Sequence, residues 1–499
     1  MSKSSARMRS PNDTTPTLRA GLPASMLPAS MLIATMLALA TFVTGCASQH
    51  VADTRAEALP QATLGVPGVG EAQLDPGFWI QRQPAADKPL LDAETVAARN
   101  ADLFARDASM HGLSAMPAML TGTQVRAWIE AMSSRPTRTL YDMQGKEVPA
   151  STLDALFANM ALDTIPASQS TRFGLVVARA PLRSFPTLQR AFSRQGDTDI
   201  DRWQESAEFP GTPVVIAHAS ADGQWLFVVS PRYAAWTPAK FIAEGTRKQV
   251  LAYYTDEAPY RVITGAKPRL VYTPDNAALS ELQLDMGTRL PDIGMLRVAT
   301  IQSQAPAFHW TVSVPLRFDD GNLGFALALL PRTADSHLGP LPLSRANIIR
   351  QAFKFLGERY GWGHDYNSRD CSGFVSEVYA SMGLILPRNT SAQAVSPVFR
   401  RTHFEITDGR GARMAAINAL DVGDLIYIPG HVMMFIGRIG DTPYVIHDTN
   451  GGTVLDADGT LHSLKLNGVS VTPLTALHFD AETDYIDRIT NIVRVVHTP

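Results

Sequence analysis

A chain of 499 residues, 45% hydrophobic and 18% charged, is too long for one ordinary core and too apolar to be disordered. Its formal charge of −3, from 44 basic and 47 acidic residues, excludes the strong positive field of a nucleic-acid binder. The two cysteines, Cys46 and Cys371, lie in unrelated contexts with separate chemical explanations, so no disulfide is expected.

The N-terminus reads as a secretory leader. Arg7, Arg9 and Arg19 precede the apolar run 31–43. That run is shorter than the roughly 20 residues a membrane span needs. Thr44-Gly45-Cys46 resembles the lipobox of bacterial lipoproteins. The resemblance implies cleavage after a signal peptide over 1–45, lipidation of Cys46, and a body held on a membrane by its lipid. Ala47 rather than Asp at the next position points, by the same resemblance, to the periplasmic face of the outer membrane. Residues 46–72 are rich in Ala, Gly, Pro and polar residues and read as a tether.

Residues 73–164 read as a helical segment. Asp92 and Thr95 precede AARNADLFARDASM, with Leu103 and Phe104 spaced for one buried face. From 165 the texture changes to short β runs: FGLVVA from Phe173, PVVIA from Pro213 and WLFVVS from Trp225. Asp222-Gly223 between the last two is a hairpin signal. A small barrel is expected over 165–245 and a second over 246–341. The second should include strands at Arg269–Tyr272, Phe308–Val314 and Leu323–Leu330, with Asp320-Gly321 as a turn. Over 342–499, two helical patterns precede short strands, an α+β order. Ser344 is a fair N-cap for RANIIRQAFKFLGE. A Gly- and polar-rich loop, YGWGHDYNSRD, leads into CSGFVSEVYASMGL. The runs DLIYIP, HVMMFIG and PYVIHD follow.

Cys371 opens the second of those helices. Unpaired N–H groups and the helix dipole there favour a thiolate, and the same groups can hold an oxyanion. The alternative is a buried, inert cysteine. His431 and His447 tilt the choice. A simple hairpin with its midpoint at 439 sets them directly opposite each other on one face. A thiol, a base and a group orienting the base are the parts of a nucleophilic site. Zinc on Cys371, His431 and His447 is the rival reading, but no CxxC or HxxxH spacing supports it, so no metal or other cofactor is expected.

YGWG, Asp370-Cys371-Ser372-Gly373-Phe374, Gly423-Asp424-Leu425 and Gly430-His431-Val432 together resemble the NlpC family of papain-like cell-wall cysteine peptidases. The match covers about 342–495. It implies a papain-like α+β catalytic domain with Cys371, His431 and His447 as the catalytic set. The implied substrates are peptidoglycan stem peptides or muropeptides, cut between γ-D-glutamate and a diamino acid. The segments FGLVVARAPLR, HASADGQWLFV and YAAWTPAKFIA resemble the paired bacterial SH3-like domains of the muropeptide-processing branch. In that branch the first barrel closes one end of the cleft, so that only stems with a free N-terminal L-alanine fit. The resemblance assigns substrate contacts to Asp370, Ser372 and Tyr360, and Tyr233 is added as a wall of the cleft. The alternative for Asp370 is a helix cap. One departure is His364, where a second glycine often follows YGWG.

The expected fold class is therefore α+β and multidomain. It comprises an N-terminal helical segment, two small SH3-like β-barrels and a C-terminal papain-like α+β domain. Other functional readings are a non-catalytic lipoprotein that binds wall fragments, and an amidase or transpeptidase on the same thiol scaffold.

Overall fold

The computed structural model describes residues 65–255, 258–455 and 458–496. The leader, Cys46 and most of the tether lie outside the described residues.

The N-terminal segment holds helices Pro76–Ile80, Ala93–Arg106, Gly122–Met132 and Ala150–Asn159. Side chains start the first three: Asp75 accepts from Gly77 N–H, Asp92 from Thr95 N–H and Thr121 from Gln124 N–H. Short strands at Pro89–Leu91 and Met119–Thr121 interrupt the helices. The segment serves two neighbours. Trp79 is fully buried against Tyr444 of the C-terminal domain, with ring centroids 5.0 Å apart. Val125 and Ile129 join the core of the first barrel with Trp236. The last residues of the expected tether are also packed. Val69 is 2% exposed, and the Gly68 carbonyl accepts from the Tyr444 hydroxyl at 2.6 Å. Apolar burial has drawn this end of the tether into the folded body.

The first barrel is a seven-stranded antiparallel sheet over Arg172–Gly245. The Pro213–Ala219 and Trp225–Val229 strands form a hairpin in it, with Gly223 at φ +70° in the turn. Gln204–Glu208 is the edge strand, paired with Ala180–Arg183. The region 246–341 is less regular. It has a helix (Arg247–Tyr253), a three-stranded sheet, and a separate hairpin of His309–Arg317 with Leu323–Pro331. Arg269–Tyr272 is not a strand and makes only an isolated bridge from Arg269 to Gln283. Pro268 and Pro274 bracket it and remove ladder donors on both sides.

In the C-terminal domain, Ser344 caps the helix Arg345–Phe353 through Asn347 N–H at 3.2 Å. The helix Cys371–Ala380 is buried along nearly its whole length, with Phe374, Val375, Val378 and Tyr379 at 0% exposure. It packs on a six-stranded antiparallel sheet. The order is Arg400–His403, Asn491–Arg494, Leu425–Ile428, His431–Ile439, Thr442–Thr449, Gly468–Pro473. This packing sets the first turn of the Cys371 helix beside the start of the His431 strand.

Candidate active site

A cleft of about 530 Å³ opens where the first barrel meets the C-terminal domain. Cys371 lies in its wall with Asp370, Ser372, Tyr360 and Tyr233, so five residues singled out from sequence converge here. Gly430 also lines the cleft, and His431 follows it directly. The backbone N–H of Val432 hydrogen-bonds the sulfur, and Thr390 Oγ1 stands 3.8 Å from Sγ.

His431 Nε2 lies 2.8 Å from His447 Nδ1. The register differs from the simple hairpin. Met434 pairs with Ile446 and Phe435 with Val445, and a bulge then sets Gly437 opposite Tyr444. Extended, this ladder puts His447 across from Met433, so the imidazoles meet diagonally. The offset from direct opposition is two residues, which keeps both on one face. Thr472 continues the diagonal. It pairs with Val445, one strand further on, and its Oγ1 is 3.1 Å from His447 Nε2. His447 and Thr472 are both fully buried. With Nε2 engaged, Nδ1 is the ring nitrogen of His431 left for the thiol. Thr472 escaped the sequence reading because a lone Thr in a β run carries no signal.

The thiol and the two imidazoles stand neutral at rest. Burial, and then the Asp370 carboxylate, push the Cys371 thiol up to about 12. The hydrogen bonds from Val432 N–H and Thr390 oppose this shift without reversing it. Burial draws His431 down to about 4, and burial with the neighbouring His431 holds His447 well below the usual imidazole range. Asp448, beside His447, is buried with neither carboxyl oxygen partnered among the described residues; burial and then Asp370 push its pKa well up.

Asp370 is saturated. Oδ1 accepts from Gly373 N–H at 2.8 Å, Ser372 Oγ at 3.1 Å and Arg388 Nη1 at 3.1 Å. Oδ2 accepts from Gly363 N–H at 3.0 Å and Arg388 Nη2 at 2.8 Å. Burial opposes its ionisation, but Arg388, His364 and the Gly373 N–H together outweigh it and hold the pKa at about 2. Asp370 thus caps the helix and grips Arg388. A second carboxylate lines the cleft, Glu205 on the edge strand of the first barrel. Its Oε2 accepts from Tyr233 Oη at 2.8 Å, and burial raises its pKa. Sequence gave no sign of Glu205, since its place depends on how two domains dock. Among the described residues, no group of three or more His, Cys, Asp and Glu is arranged to hold a metal ion.

Residues 357–486 match the NlpC/P60 family, and residues 186–238 match an SH3 domain of the SH3b1 type. Dipeptidyl-peptidase 6 of Lysinibacillus sphaericus is 26% identical over 152 residues, covering 30% of this chain and 48% of that protein. A probable endopeptidase of Corynebacterium glutamicum (strain R) is 29% identical over 127 residues, covering 21% of this chain and 60% of that protein. The chain therefore spans about half the length of the first relative and 60% of the second. The solved NlpC/P60 endopeptidase from Photobacterium damselae subsp. piscicida superposes with a TM-score of 0.68 at 18% identity. The overlap is 85% of this chain and 97% of that one, a likeness of fold. Residues 357–486 of this chain thus form an NlpC/P60 family domain, and residues 186–238, ahead of it, an SH3 domain of the SH3b1 type.

Proposed function

We propose that this protein is a cysteine endopeptidase that hydrolyses peptidoglycan stem peptides between γ-D-glutamate and the diamino acid, on stems with a free N-terminal L-alanine. One observation carries the reading. A single cleft joins a helix-start thiol to a half-buried carboxylate, Glu205, that the first barrel contributes. The thiol supplies the nucleophile. The carboxylate suits an ammonium, and Tyr233, bonded to it, closes that end.

The chemistry follows from the contacts. His431 Nδ1 takes the thiol proton as sulfur attacks the scissile carbonyl carbon. The first N–H groups of the Cys371 helix, left without intrahelical acceptors, face the developing oxyanion. Collapse breaks the C–N bond, and His431 returns the proton to the leaving amine. A water deprotonated by His431 then hydrolyses the thioester and restores the thiol. His447 holds the His431 ring, and Thr472 holds His447. Ser372 and Tyr360 line the cleft as further substrate contacts. Asp370 acts by anchoring Arg388 instead of by direct contact.

The lipobox-like Thr44-Gly45-Cys46 supports a lipid anchor on the periplasmic face of a bacterial membrane, the outer one by the residue that follows. Incubation with L-Ala-γ-D-Glu-diaminopimelate, with products identified by mass, tests the reading. Release of L-Ala-γ-D-Glu is expected. Absence of that product across stem peptides of differing length overturns it.

A further inference from the structure

His364 stands where a glycine would be the easy residue. Its φ of +65° is left-handed, and Gly363 before it is at +58°. A non-glycine residue there is strained. Yet His364 is 4% exposed and does not line the cleft. Its ring lies against the first turn of the Cys371 helix. A Cβ at Gly373 would fall 2.3 Å from His364 Cε1, so the imidazole fits only because residue 373 is glycine. The catalytic steps above leave this buried imidazole without a task.

Its bonds define one. Arg388 Nη2 is 2.7 Å from His364 Nδ1. A guanidinium can only donate, so Nδ1 accepts, and Nε2–H donates to Glu377 Oε1 at 2.9 Å. Arg388 spans the domain boundary. The two Nη atoms hold both oxygens of Asp370, and Nε donates to Ser206 Oγ at 2.7 Å. Ser206 follows Glu205 on the edge strand of the first barrel. On the other side of Glu205, Gln204 Nε2 donates to the Gly363 carbonyl at 2.8 Å. Gly363 itself packs on that backbone; a Cβ there would come 2.8 Å from the Glu205 carbonyl carbon. The residues flanking Glu205 are therefore tied to Arg388 and to the His364 loop.

We propose that His364 is the positioning residue of the amine end of the cleft, orienting Arg388 so that Glu205 and Asp370 keep a fixed relation to Cys371. The proposal rests on the free-amine reading above and goes further, because it assigns specificity to a residue that substrate never touches. Without an acceptor at Nδ1, Arg388 loses one of the contacts that set its plane. The Glu205 strand then loses its register against the Cys371 helix, and the site stops distinguishing an ammonium from an amide.

The test uses the intact protein and compares kcat/KM for L-Ala-γ-D-Glu-diaminopimelate and its N-acetylated form. Asn, Gly and Gln replace His364 in turn. Asn and Gly tolerate the left-handed backbone. The Asn carboxamide oxygen can stand near Nδ1 and accept from Arg388, whereas the Gln carboxamide reaches toward Nε2 and Glu377. The expected result is that His364→Asn keeps the free-amine preference, while His364→Gly and His364→Gln lose roughly tenfold or more of it, about the effect of one lost orienting hydrogen bond. A purely structural role would slow both substrates together and leave their ratio unchanged. If wild type prefers the free amine and the Gly and Gln variants do too, the proposal is overturned and the free-amine reading stands. It is also overturned if Asn loses the preference as fully as Gly. A wild-type enzyme without preference overturns both, and that measurement stands apart from the variants. Should His364→Gly fail to fold by near-UV circular dichroism, the Asn and Gln pair decides.

Discussion

His431 and His447 share a hydrogen bond of 2.8 Å although the strand ladder offsets them by two residues. The bond is diagonal, and the same diagonal carries on to Thr472 on the next strand. The chain runs over three adjacent strands, and its middle member, His447, is bonded at both ring nitrogens, so the group that orients the base is itself held in place.

Cys371 as nucleophile is tested by Cys371→Ala. Hydrolysis of stem peptides should fall to background. The melting temperature should barely move, since a small buried side chain is exchanged for a smaller one. Retained turnover would sink the assignment.

The diagonal chain should respond in graded fashion. His447→Ala removes the group that orients His431, but nucleophile and oxyanion donors remain, so some activity survives. Thr472→Val keeps the shape and leaves His447 Nε2 without its buried partner, at a cost of about 1–3 kcal/mol in stability. Its kcat should drop less than that of His447→Ala, with KM little changed. Equal activity of His447→Ala and wild type would move the orienting role to Asp448 or Asn450.

The thiol and the imidazole both rest neutral, with Cys371 at about 12 and His431 at about 4. Alkylation by iodoacetamide follows the thiolate. Its rate should therefore keep climbing through pH 6–9 without a plateau. A plateau starting near pH 5 would instead reveal a preformed thiolate–imidazolium pair and refute the neutral resting state.

Asp370 couples the site to acid stability. Its folded pKa, about 2, lies below the ordinary 3.8, so its contribution is present above pH 4 and lost as pH falls from 4 to 2. The difference is worth about 2 kcal/mol. Thermal melts of wild type and Asp370→Asn across that range give the check. The wild-type curve should fall more steeply toward acid; parallel curves would remove Asp370 from the account.

Lipid anchoring is read at Cys46. In a host that processes lipoproteins, Cys46→Ser should leave the protein in the soluble fraction or keep its leader uncut. Unchanged pelleting with membranes would refute the anchor.

The residues of the site were legible in the sequence where chemistry and local period coincide. Cys371 announced itself by opening a helix after a polar loop, Ser344 and Asp92 by capping, and the two histidines by a spacing that puts them on one face in either register. A two-residue slip left that face unchanged because side chains alternate with a period of two. Local pattern failed where prolines removed donors, at Arg269–Tyr272, and where burial overrode a loop-like composition, at Gly68 and Val69. Tertiary structure alone brought a second carboxylate, Glu205, to the cleft. Glu205 and Cys371 are far apart in sequence and meet through the docking of a barrel edge on a helix start, held by Arg388 and the His364 loop. No periodicity encodes such a contact, since it depends on the relative placement of two separately patterned domains. The protonation of the thiol was decided at the same level, because desolvation depends on everything packed around Cys371 and outweighs the hydrogen bonds that Val432 and Thr390 give its sulfur.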